Sequence, residues 1–447
     1  MKVTLIMPAV GQKDGQGYVD SWKMEPLSLL VLAGLTPEDI EINFYDDRLE
    51  VIPYDEKTDL VAINAETYTA RRSYQIASHF RKRGIPVILG GYHPTLMPEE
   101  AAGFADSILI GEAEDMWREV VNDARRKSLK RFYRSYQRPI LNGTKPKRSI
   151  LRGKKYIPLA LIESGRGCGF SCAFCSISSF YKQSYNYRPV EEIIKEIEIV
   201  QKKEIFFVDD NITADFGRAK ELFKALIPLK IRWISQGSIN MVSDSELLSL
   251  MKKSGCLGLL TGFESLNKDN LAQMGKSWNL HCGEYETALR KFREIGIVIY
   301  GTFIFGYDSD DGDLIKRSLD FTLRQKLFLA AFNHLVPFPG TPLYRQFQAQ
   351  NRLLRDKWWL DENYKFGEVV FRPKNFTPQE LSSACMKARM DFYKLSSVLR
   401  RATDFQSNCR SLISMARFFV YNMFSQNEIS KRQGLPLAEG LDSGKVK

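Results

Sequence analysis

Gly165-Arg166-Gly167-Cys168-Gly169-Phe170-Ser171-Cys172-Ala173-Phe174-Cys175 is the stretch of this sequence that decides the fold. Its three cysteines are separated by three and then two residues, on a glycine-rich loop that follows a strand-like run at residues 159–163. Three thiolates on such a loop can bind three corners of a [4Fe–4S] cluster. The fourth iron then has no protein ligand, and an open metal position is typical of a catalytic site rather than a structural one.

Two alternatives compete for the cysteine loop. Zinc needs a fourth Cys or His ligand, and the remaining candidates Cys256, His281 and Cys282 lie far along the chain. Three free thiols would not need to cluster on a glycine-rich loop, and a simple electron carrier would be served better by four cysteines. The spacing therefore favours an iron–sulfur cluster with the three loop cysteines as its ligands.

Six strand-like runs follow one another from this loop onward, and a helical pattern separates each from the next. They lie at residues 159–163, 205–208, 231–235, 257–263, 298–305 and 330–336. Repeated β–α units without hairpins predict a parallel barrel that lacks two of the usual eight units. We therefore predict a partial, TIM-like (β/α)6 barrel over residues 158–344, with an open side for a bulky substrate or a second domain.

The first 125 residues carry another α/β pattern. Short apolar runs at residues 2–7, 41–45, 60–64, 87–89 and 107–110 alternate with helical segments. This pattern predicts a doubly wound, flavodoxin- or Rossmann-like parallel sheet over residues 1–125. Ligands of such sheets bind beyond the carboxyl ends of the strands, which here are followed by the Gly90-Gly91 pair among other loops.

Residues 126–157 are predicted as a basic linker, and residues 345–447 as a mainly helical region. The net charge of the chain is +11, and 13 Lys and Arg lie between residues 124 and 162, where there is no Asp or Glu. The rest of the chain is therefore almost neutral. A basic connector is more typical of a solvated linker than of a polyanion-binding surface, so we expect no nucleic-acid partner.

Composition also indicates the compartment. No run of about 20 apolar residues exists, so no bilayer-spanning helix is predicted, and MKVTLIMPAV reads as a first strand rather than a secretory signal. Seven cysteines, three of them within eight residues, favour a metal site over a disulfide framework. We expect a cytoplasmic protein.

The cysteine loop after the first strand of a partial barrel resembles that of the radical S-adenosylmethionine (SAM) enzymes. In that family the open iron chelates SAM, and one electron cleaves SAM to methionine and a 5′-deoxyadenosyl radical. The resemblance implies that SAM is contacted by Phe174, Asp209, Asp210, Glu264, Gly301 and Ile304. A core position for Phe174, a helix cap at Asp210 and a bulge at Gly301 remain the alternatives.

The first domain resembles the cobalamin-binding domain that precedes the barrel in one radical SAM subclass. Three segments carry the resemblance: residues 63–67, 89–95 and 110–114. It implies that cobalamin is contacted by Asn64, Thr67, Gly90, Gly91 and Glu112. The Asp-x-His-x-x-Gly segment of other cobalamin proteins has no match in residues 8–24, so cobalt would have no histidine from that loop, or the domain no longer holds cobalamin.

The resemblance implies a radical SAM enzyme that abstracts hydrogen from an unactivated carbon and, with cobalamin, methylates that carbon. A flavodoxin or ferredoxin would supply electrons, and no catalytic residue is assigned. One alternative is a cobalamin-free oxidation, cyclisation or carbon–carbon coupling. An alternative from another class is an iron–sulfur electron carrier or redox sensor.

Some other residues and one helix have two readings each. Arg188 either contacts the methionine carboxylate of SAM or lies at the surface, His93 faces the ligand or is structural, and His334 points into the barrel or outward. Residues 409–424 predict an amphipathic helix with cationic residues on its polar side. It either docks on the barrel or contacts a membrane peripherally, and the latter would fit a lipid- or porphyrin-like substrate.

Overall fold

The computed structural model describes residues 1–441, apart from the side chains of His281 and Cys282, two of the remote zinc candidates. Two six-stranded parallel sheets dominate the chain, and helices cover them. The fold class agrees with the sequence prediction: a doubly wound domain, an incomplete barrel and a helical carboxyl-terminal region.

The first sheet has the strand order β2-β1-β3-β4-β5-β6. Its strands are β1 (Lys2–Met7), β2 (Glu41–Asp46), β3 (Leu60–Asn64), β4 (Val87–Gly90), β5 (Ser107–Ile110) and β6 (Phe132–Arg134). Its helices are α1 (Leu27–Leu35), α2 (Ala70–Lys82), α3 (Tyr92–Leu96), α4 (Pro98–Ala102) and α5 (Trp117–Arg125). The sequence prediction missed β6, which lies in the segment predicted as a basic linker, because three residues are too few to show strand periodicity.

The second sheet has the order β7-β10-β11-β12-β13-β14, all parallel. Its strands are β7 (Ala160–Ile162), β10 (Glu204–Phe207), β11 (Arg232–Gln236), β12 (Cys256–Glu264), β13 (Val298–Phe305) and β14 (Leu329–His334). A two-stranded antiparallel ribbon, β8 (Gly165–Gly167) with β9 (Tyr185–Tyr187), brackets the cysteine loop. The sheet is an incomplete barrel whose edge strands are β7 and β14.

Helices connect the barrel strands. They are α6 (Ser176–Phe180), α7 (Val190–Val200), α8 (Phe216–Leu226), α9 (Ser245–Lys253), α10 (Lys268–Gln273), α11 (Tyr285–Ile295) and α12 (Gly312–Arg324). Phe263, Phe303 and Phe332 stack across three neighbouring strands, with ring centroids 5.6 and 5.8 Å apart, beneath Phe321 of α12. Because side chains alternate along a strand, the residues next to these phenylalanines face the barrel interior.

The carboxyl-terminal region contains α13 (Pro342–Ala349), α14 (Pro378–Tyr393), α15 (Leu395–Ala402) and α16 (Leu412–Arg432). α14 packs against the edge strand β14 and against α16. Residues 435–441 return to the first domain, where the Ala438 N–H donates to the Val10 carbonyl at 2.7 Å. This region therefore joins the barrel to the first domain.

The predicted amphipathic helix is real, but it does not bury its apolar face. Within α16, Leu412 is 80% exposed and Val420 64% exposed, whereas Phe418 and the polar Asn422 are buried. The prediction located the helix because its residues favour one, and it left the orientation open because docking depends on α14 and α15, which contact α16. No helix within residues 1–441 combines the length and the apolar character needed to cross a bilayer.

Candidate active site at the barrel mouth

Two carboxylates hold the backbone of the cysteine loop. The Ser164 N–H donates to Asp209 Oδ1 at 2.7 Å, and the Gly167 N–H donates to Asp210 Oδ2 at 2.7 Å. Gly167 has φ +92°, and a Cβ there would lie 2.2 Å from the Ser184 carbonyl oxygen, so glycine is required where β8 meets β9. The loop is therefore fixed from the end of β10 before any ligand binds.

This arrangement gives Asp209 and Asp210 a structural role besides the predicted one. Both oxygens of the buried Asp209 accept hydrogen bonds from Ser164, and burial raises the pKa of Asp209 to about 7 against those hydrogen bonds. Burial likewise raises the pKa of Asp210 to about 6, and this residue also lines the cavity beneath the first sheet. Both carboxylates therefore position the cysteine loop, and the contact with SAM predicted for them stays a prediction.

The three loop cysteines fit a cluster by their donor chemistry. Burial raises the pKa of the Cys172 thiol to about 12, Lys276 opposes the rise, and Cys175 and Cys168 add to it, so the thiols lie close to one another. Within residues 1–441, no three Cys, His, Asp or Glu side chains are arranged as ligands of one metal ion. In a [4Fe–4S] cluster each thiolate binds a different iron, so the sulfur atoms stand farther apart than the ligands of a single metal ion. Bound iron also keeps the thiolates deprotonated.

Glu264 and Lys276 form an ion pair beside the cysteine loop, where the Ala173 N–H donates to the Met274 carbonyl at 2.9 Å. Lys276 Nζ lies 2.7 Å from Glu264 Oε1 and 3.1 Å from the Gly262 carbonyl oxygen. Glu264 adopts φ +63°, next to a shift in the pairing of β12 with β13, and this uncommon backbone conformation costs about 1–3 kcal/mol. A Cβ at Gly262 would lie 2.0 Å from Glu264 Oε1, so glycine leaves the room that this ion pair needs.

A second layer lies around the ion pair. Phe170 of the cysteine loop stacks on Trp278, with ring centroids 3.8 Å apart. Tyr307 is buried and its hydroxyl has no hydrogen-bond partner among the described residues. Burial raises the pKa of Tyr307, and Glu264 and Cys172 raise it further, which places its hydroxyl near both. This arrangement leaves a hydrogen-bonding group available at the cluster site.

Of the remaining residues predicted to contact SAM, two lie at the barrel interior or beside the cysteine loop and one does not. Phe174 packs against the barrel core beside Cys175, and Ile304 alternates with the outward Phe303 and so faces the interior. Gly301 does not: a Cβ there would lie 3.1 Å from the Phe263 ring and 2.8 Å from Leu327, on the helix-covered side. The glycine at 301 is therefore explained by packing against the outer layer, which the sequence could not distinguish from contact with adenine.

A cavity of about 300 Å³ lies between the carboxyl ends of the first sheet and the barrel mouth. Asn64, Gly90, Gly91 and Glu112 line it, as the sequence predicted for a ligand-facing edge. A Cβ at Gly91, which has φ +104°, would lie 2.4 Å from Asn64 Oδ1. Glycine at 91 is therefore required by its close approach to Asn64 and Ala65, whereas a Cβ at Gly90 would meet Leu109 only at 3.7 Å.

Thr67 is the exception among the predicted cavity residues. It is buried, it is not part of the cavity wall, and its Oγ1 lies 3.4 Å from His93 Nδ1. Glu66, which belongs to the predicted segment 63–67 but was not named as a contact, lines the cavity instead. The short helix Thr67–Thr69 begins directly after β3 and turns Thr67 inward, a local geometry that strand prediction alone cannot give.

Arg166 connects the cavity with the cysteine loop. Its guanidinium donates to Glu114 at 2.7 Å, Glu112 at 3.2 Å and Glu163 at 2.5 Å. Arg138 also pairs with Glu112 and donates to the Arg166 carbonyl. Glu163, Arg166 and Asp210 belong to the barrel and also line the cavity, so one layer of side chains separates the two ligand regions.

Several residues of the site were not named as ligand contacts from the sequence. They are Arg166, Glu163, Lys276, Trp278 and Tyr307, together with Tyr92 and Tyr181 of the cavity wall and Asn211, whose Nδ2 lies 3.8 Å from Cys168 Sγ. Arg166 and Glu163 lie beside the cysteine motif and could have been found as charges flanking it. Lys276 has no such signal, because only the chain path after α10 brings it to Glu264.

The three residues left open are structural. Arg188 is buried and pairs with Glu196 at 2.6 Å. His93 is buried with Nε2 3.0 Å from Glu100. His334 lies two residues after the outward Phe332 on β14, so its side chain also points outward. Burial lowers the pKa of His334 to about 4.

Comparison with known proteins agrees with this architecture. The family model of the Radical SAM superfamily matches residues 162–321, and that of the B12 binding domain matches residues 21–121. The first match contains the cysteine loop and most of the barrel. The second contains four strands of the first sheet and its cavity edge.

Curated relatives cover most of the chain. The bacteriochlorophyllide d C-12(1)-methyltransferase of Chlorobaculum tepidum is 31% identical over 389 residues, which is 84% of each chain. The anaerobic magnesium-protoporphyrin IX monomethyl ester cyclase of Cereibacter sphaeroides is 24% identical and covers 94% of this chain and 75% of its own. The solved structure of the cobalamin-dependent SAM radical enzyme OxsB, with aqua-cobalamin and SAM bound, is 16% identical with a TM-score of 0.66, covering 96% of this chain and 72% of that one.

Proposed function

This chain belongs to the radical SAM superfamily, in the subclass with an amino-terminal B12-binding domain, and we propose that it methylates an unactivated carbon of a hydrophobic, porphyrin-like molecule. The observation that carries the proposal is the shared wall between the cavity and the cysteine loop. Glu163, Arg166 and Asp210 contribute to both. A methyl donor beneath the first sheet and a radical source at the barrel mouth would thus be neighbours.

Each cofactor has its own set of residues in this proposal. Cys168, Cys172 and Cys175 bind the [4Fe–4S] cluster. Glu264, Lys276, Phe174 and Ile304 surround SAM, whereas Asn64, Glu66, Gly90, Gly91 and Glu112 surround cobalamin. When bound, the cluster and SAM supply the 5′-deoxyadenosyl radical, and cobalamin supplies the methyl group.

The chain's own residues position and shield these groups. Asp209 and Asp210 hold the loop that carries the cysteines, and Arg166 holds that loop against the first domain. Lys276 presents a positive charge beside Cys172, which favours the anionic cluster. Phe170 and Trp278 stack next to the loop and keep water from it.

The substrate class comes from two relatives whose reactions differ. One is named a methyltransferase of a bacteriochlorophyllide and the other a cyclase of a magnesium-protoporphyrin ester, so they share a porphyrin-like substrate rather than a reaction. The interior face of the barrel suits such a molecule, since Phe206, Ile234, Leu260 and Ile304 alternate with outward core residues.

The test uses anaerobically reconstituted holoenzyme with dithionite and SAM. We expect a corrin absorption band beside the iron–sulfur shoulder, and release of 5′-deoxyadenosine and S-adenosylhomocysteine when a porphyrin-like substrate is added. 5′-Deoxyadenosine without a corrin band would favour the cobalamin-free oxidation or cyclisation. Absence of 5′-deoxyadenosine would leave only an electron carrier or redox sensor.

We propose a flavodoxin or ferredoxin as the electron donor. Cys168 and Cys175 are partly exposed, so the cysteine loop is accessible to a small protein. Replacing dithionite with a reduced flavodoxin should sustain turnover, and failure of both carriers would contradict this partner.

We also propose that the exposed apolar face of the carboxyl-terminal region contacts a lipid surface. Leu395, Phe405, Leu412 and Val420 are each more than 60% exposed, and the exposed Arg410 lies among them. Apolar side chains with adjacent cations suit anionic headgroups. The holoenzyme should sediment with phosphatidylglycerol vesicles, a Leu412→Ser, Val420→Ser variant should not, and equal sedimentation of both would contradict the contact.

A further inference from the structure

Three consecutive residues after β10 hold successive points of the cysteine loop. Asp209 and Asp210 accept hydrogen bonds from the backbone of that loop. Asn211 continues the series, because its Nδ2 donates to Cys168 Sγ across 3.8 Å. Of the three contacts, this one reaches a sulfur atom, and the proposed function gives it no role.

The surroundings of the Asn211 side chain fix which end of its amide faces the sulfur. Its Oδ1 accepts from the Thr213 N–H at 3.2 Å, from the Thr213 hydroxyl at 3.0 Å and from the Ser238 N–H at 3.2 Å. An amide NH2 group only donates, so two backbone N–H groups at the oxygen end exclude the flipped orientation. The NH2 group is therefore the end that faces Cys168.

Ser238 takes one of the two hydrogens of that NH2 group. The Ser238 hydroxyl lies 3.2 Å from Asn211 Nδ2 and 2.6 Å from Asn240 Oδ1. Because a hydroxyl has a single hydrogen and Ser238 donates it to Asn240, Ser238 accepts from Asn211. The second Nδ2 hydrogen is then the one that meets the sulfur of Cys168.

Burial gives this weak contact its strength. Asn211 is only 4% exposed, so water does not compete for its amide. In such a low-dielectric environment an N–H dipole acts more strongly on a nearby charge than it does in water. A neutral thiol is a weak acceptor, whereas a thiolate bound to iron carries negative charge and accepts more strongly. The contact therefore favours Cys168 in the form that binds a cluster.

The other two loop cysteines have different surroundings. Burial raises the pKa of the Cys172 thiol, and the full charge of Lys276 opposes that rise. Cys175 lies directly before α6, and burial raises its pKa while hydrogen bonds from Ser178 lower it. Asn211 differs from both, because it is a neutral side chain from outside the loop. A substitution can therefore remove its donor and leave the sequence of the loop intact.

We propose that Asn211 is a positioning residue that raises the reduction potential of the [4Fe–4S] cluster through its hydrogen bond to Cys168. The proposal rests on the proposed function and names how this chain favours the electron transfer that precedes SAM cleavage. The cluster gains one electron, which the flavodoxin or ferredoxin proposed above loses. The added negative charge spreads onto the cysteine sulfurs, so an N–H dipole that points at one of them stabilises the reduced form more than the oxidised form.

The test is a redox titration of the anaerobically reconstituted holoenzyme without SAM, in which electron paramagnetic resonance measures the reduced cluster. Asn211→Ser shortens the side chain so that it no longer reaches Cys168, while the serine hydroxyl can still accept from the Thr213 N–H in the same turn. At the midpoint potential of the wild-type protein, the ratio of reduced to oxidised cluster should fall at least threefold in this variant. Its iron content should equal that of the wild type.

A second variant has its own matched control. Asn211→Asp keeps an acceptor oxygen for the Thr213 and Ser238 N–H groups and replaces the donor with a carboxylate oxygen, so the ratio should fall further than in Asn211→Ser. Asn240→Asp adds the same charge beyond the Ser238 hydroxyl and leaves the Asn211 amide in place. This control should lower the ratio less than Asn211→Asp does.

Three results would overturn the role of Asn211: an unchanged ratio in Asn211→Ser, equal shifts in Asn211→Asp and Asn240→Asp, or loss of iron from both Asn211 variants. The last result would mean that Asn211 assembles the loop rather than setting the potential. Release of 5′-deoxyadenosine with dithionite and SAM is measured on the same samples. If the wild type cleaves SAM but the ratio does not change, only the hydrogen bond is wrong. If the ratio falls but SAM is never cleaved, only the proposed function is wrong, and a wild-type protein that binds no cluster would contradict both.

Discussion

The cysteine loop and the cavity edge of the first sheet are built in different ways. At the loop the ligands are side chains, three thiols whose backbone is held by Asp209 and Asp210. At the cavity edge the decisive feature is backbone geometry, since Gly91 has φ +104° and approaches Asn64 and Ala65 so closely that a Cβ has no room. Ligands that are side chains are therefore visible in residue spacing, whereas at the cavity edge the sequence predicted the location and the fold shows its shape.

The largest expected effect separates the two regions completely. Cys168→Ala removes one cluster ligand, so we expect loss of iron and at least a thousandfold loss of 5′-deoxyadenosine release, with cobalamin still bound. Iron content and the corrin band measure the two outcomes. Cys409→Ala is the matched control, since Cys409 lies in the carboxyl-terminal region, and equal loss of iron in both variants would contradict the assignment.

The converse change acts on the cavity edge. Gly91→Ala places a Cβ 2.4 Å from Asn64 Oδ1 and 2.8 Å from the Ala65 carbonyl oxygen, so we expect cobalamin affinity to fall at least tenfold with iron content unchanged. Spectroscopic titration with hydroxocobalamin measures it. Gly84→Ala is the control, because Gly84 also has positive φ, +73°, but has open space around it. Unchanged affinity in Gly91→Ala would show that the ligand does not bind at this edge.

A smaller effect should appear in both regions at once. Arg166→Gln leaves the buried carboxylates of Glu112 and Glu114 without a full partner and weakens the connection to the cysteine loop. We expect several-fold losses of both iron retention and cobalamin affinity. Arg290→Gln, which removes the exposed pair with Glu294, serves as control. A loss confined to one cofactor would mean that the regions are independent.

The smallest effect concerns stability in the first domain. Although burial opposes it, hydrogen bonds from His93 and Trp359 lower the pKa of Glu100 to about 2, from 4.5. Its stabilising contribution is then full above pH 4.5 and disappears as the pH falls towards 2. Glu100→Gln should destabilise the apoprotein by about 3 kcal/mol at neutral pH and by less at pH 3, in thermal unfolding. A difference independent of pH would contradict this linkage.

The difference between the cysteine loop and the cavity edge also explains what the sequence could predict. The strand Leu60–Asn64 follows from an apolar run that is buried on both faces, Val298–Phe305 follows from a longer run in which buried and half-buried residues alternate, and the cluster ligands follow from their spacing. The orientation of a side chain at the end of a strand cannot be predicted in this way. Asp209 and Gly301 occupy expected positions, but their neighbours Ser164 and Phe263 determine their roles, and those neighbours are distant in sequence.

The return of residues 435–441 to the first domain has a consequence for synthesis on the ribosome. Val10 and Gln12 leave the ribosome early, but Ala438 and Glu439, which pair with their backbone groups, emerge only after the barrel has been made. The first sheet can pair its strands during translation, yet its loop after β1 gains these hydrogen bonds late. A chain that stalls or is cut before residue 435 therefore lacks the hydrogen bonds that hold the loop after β1.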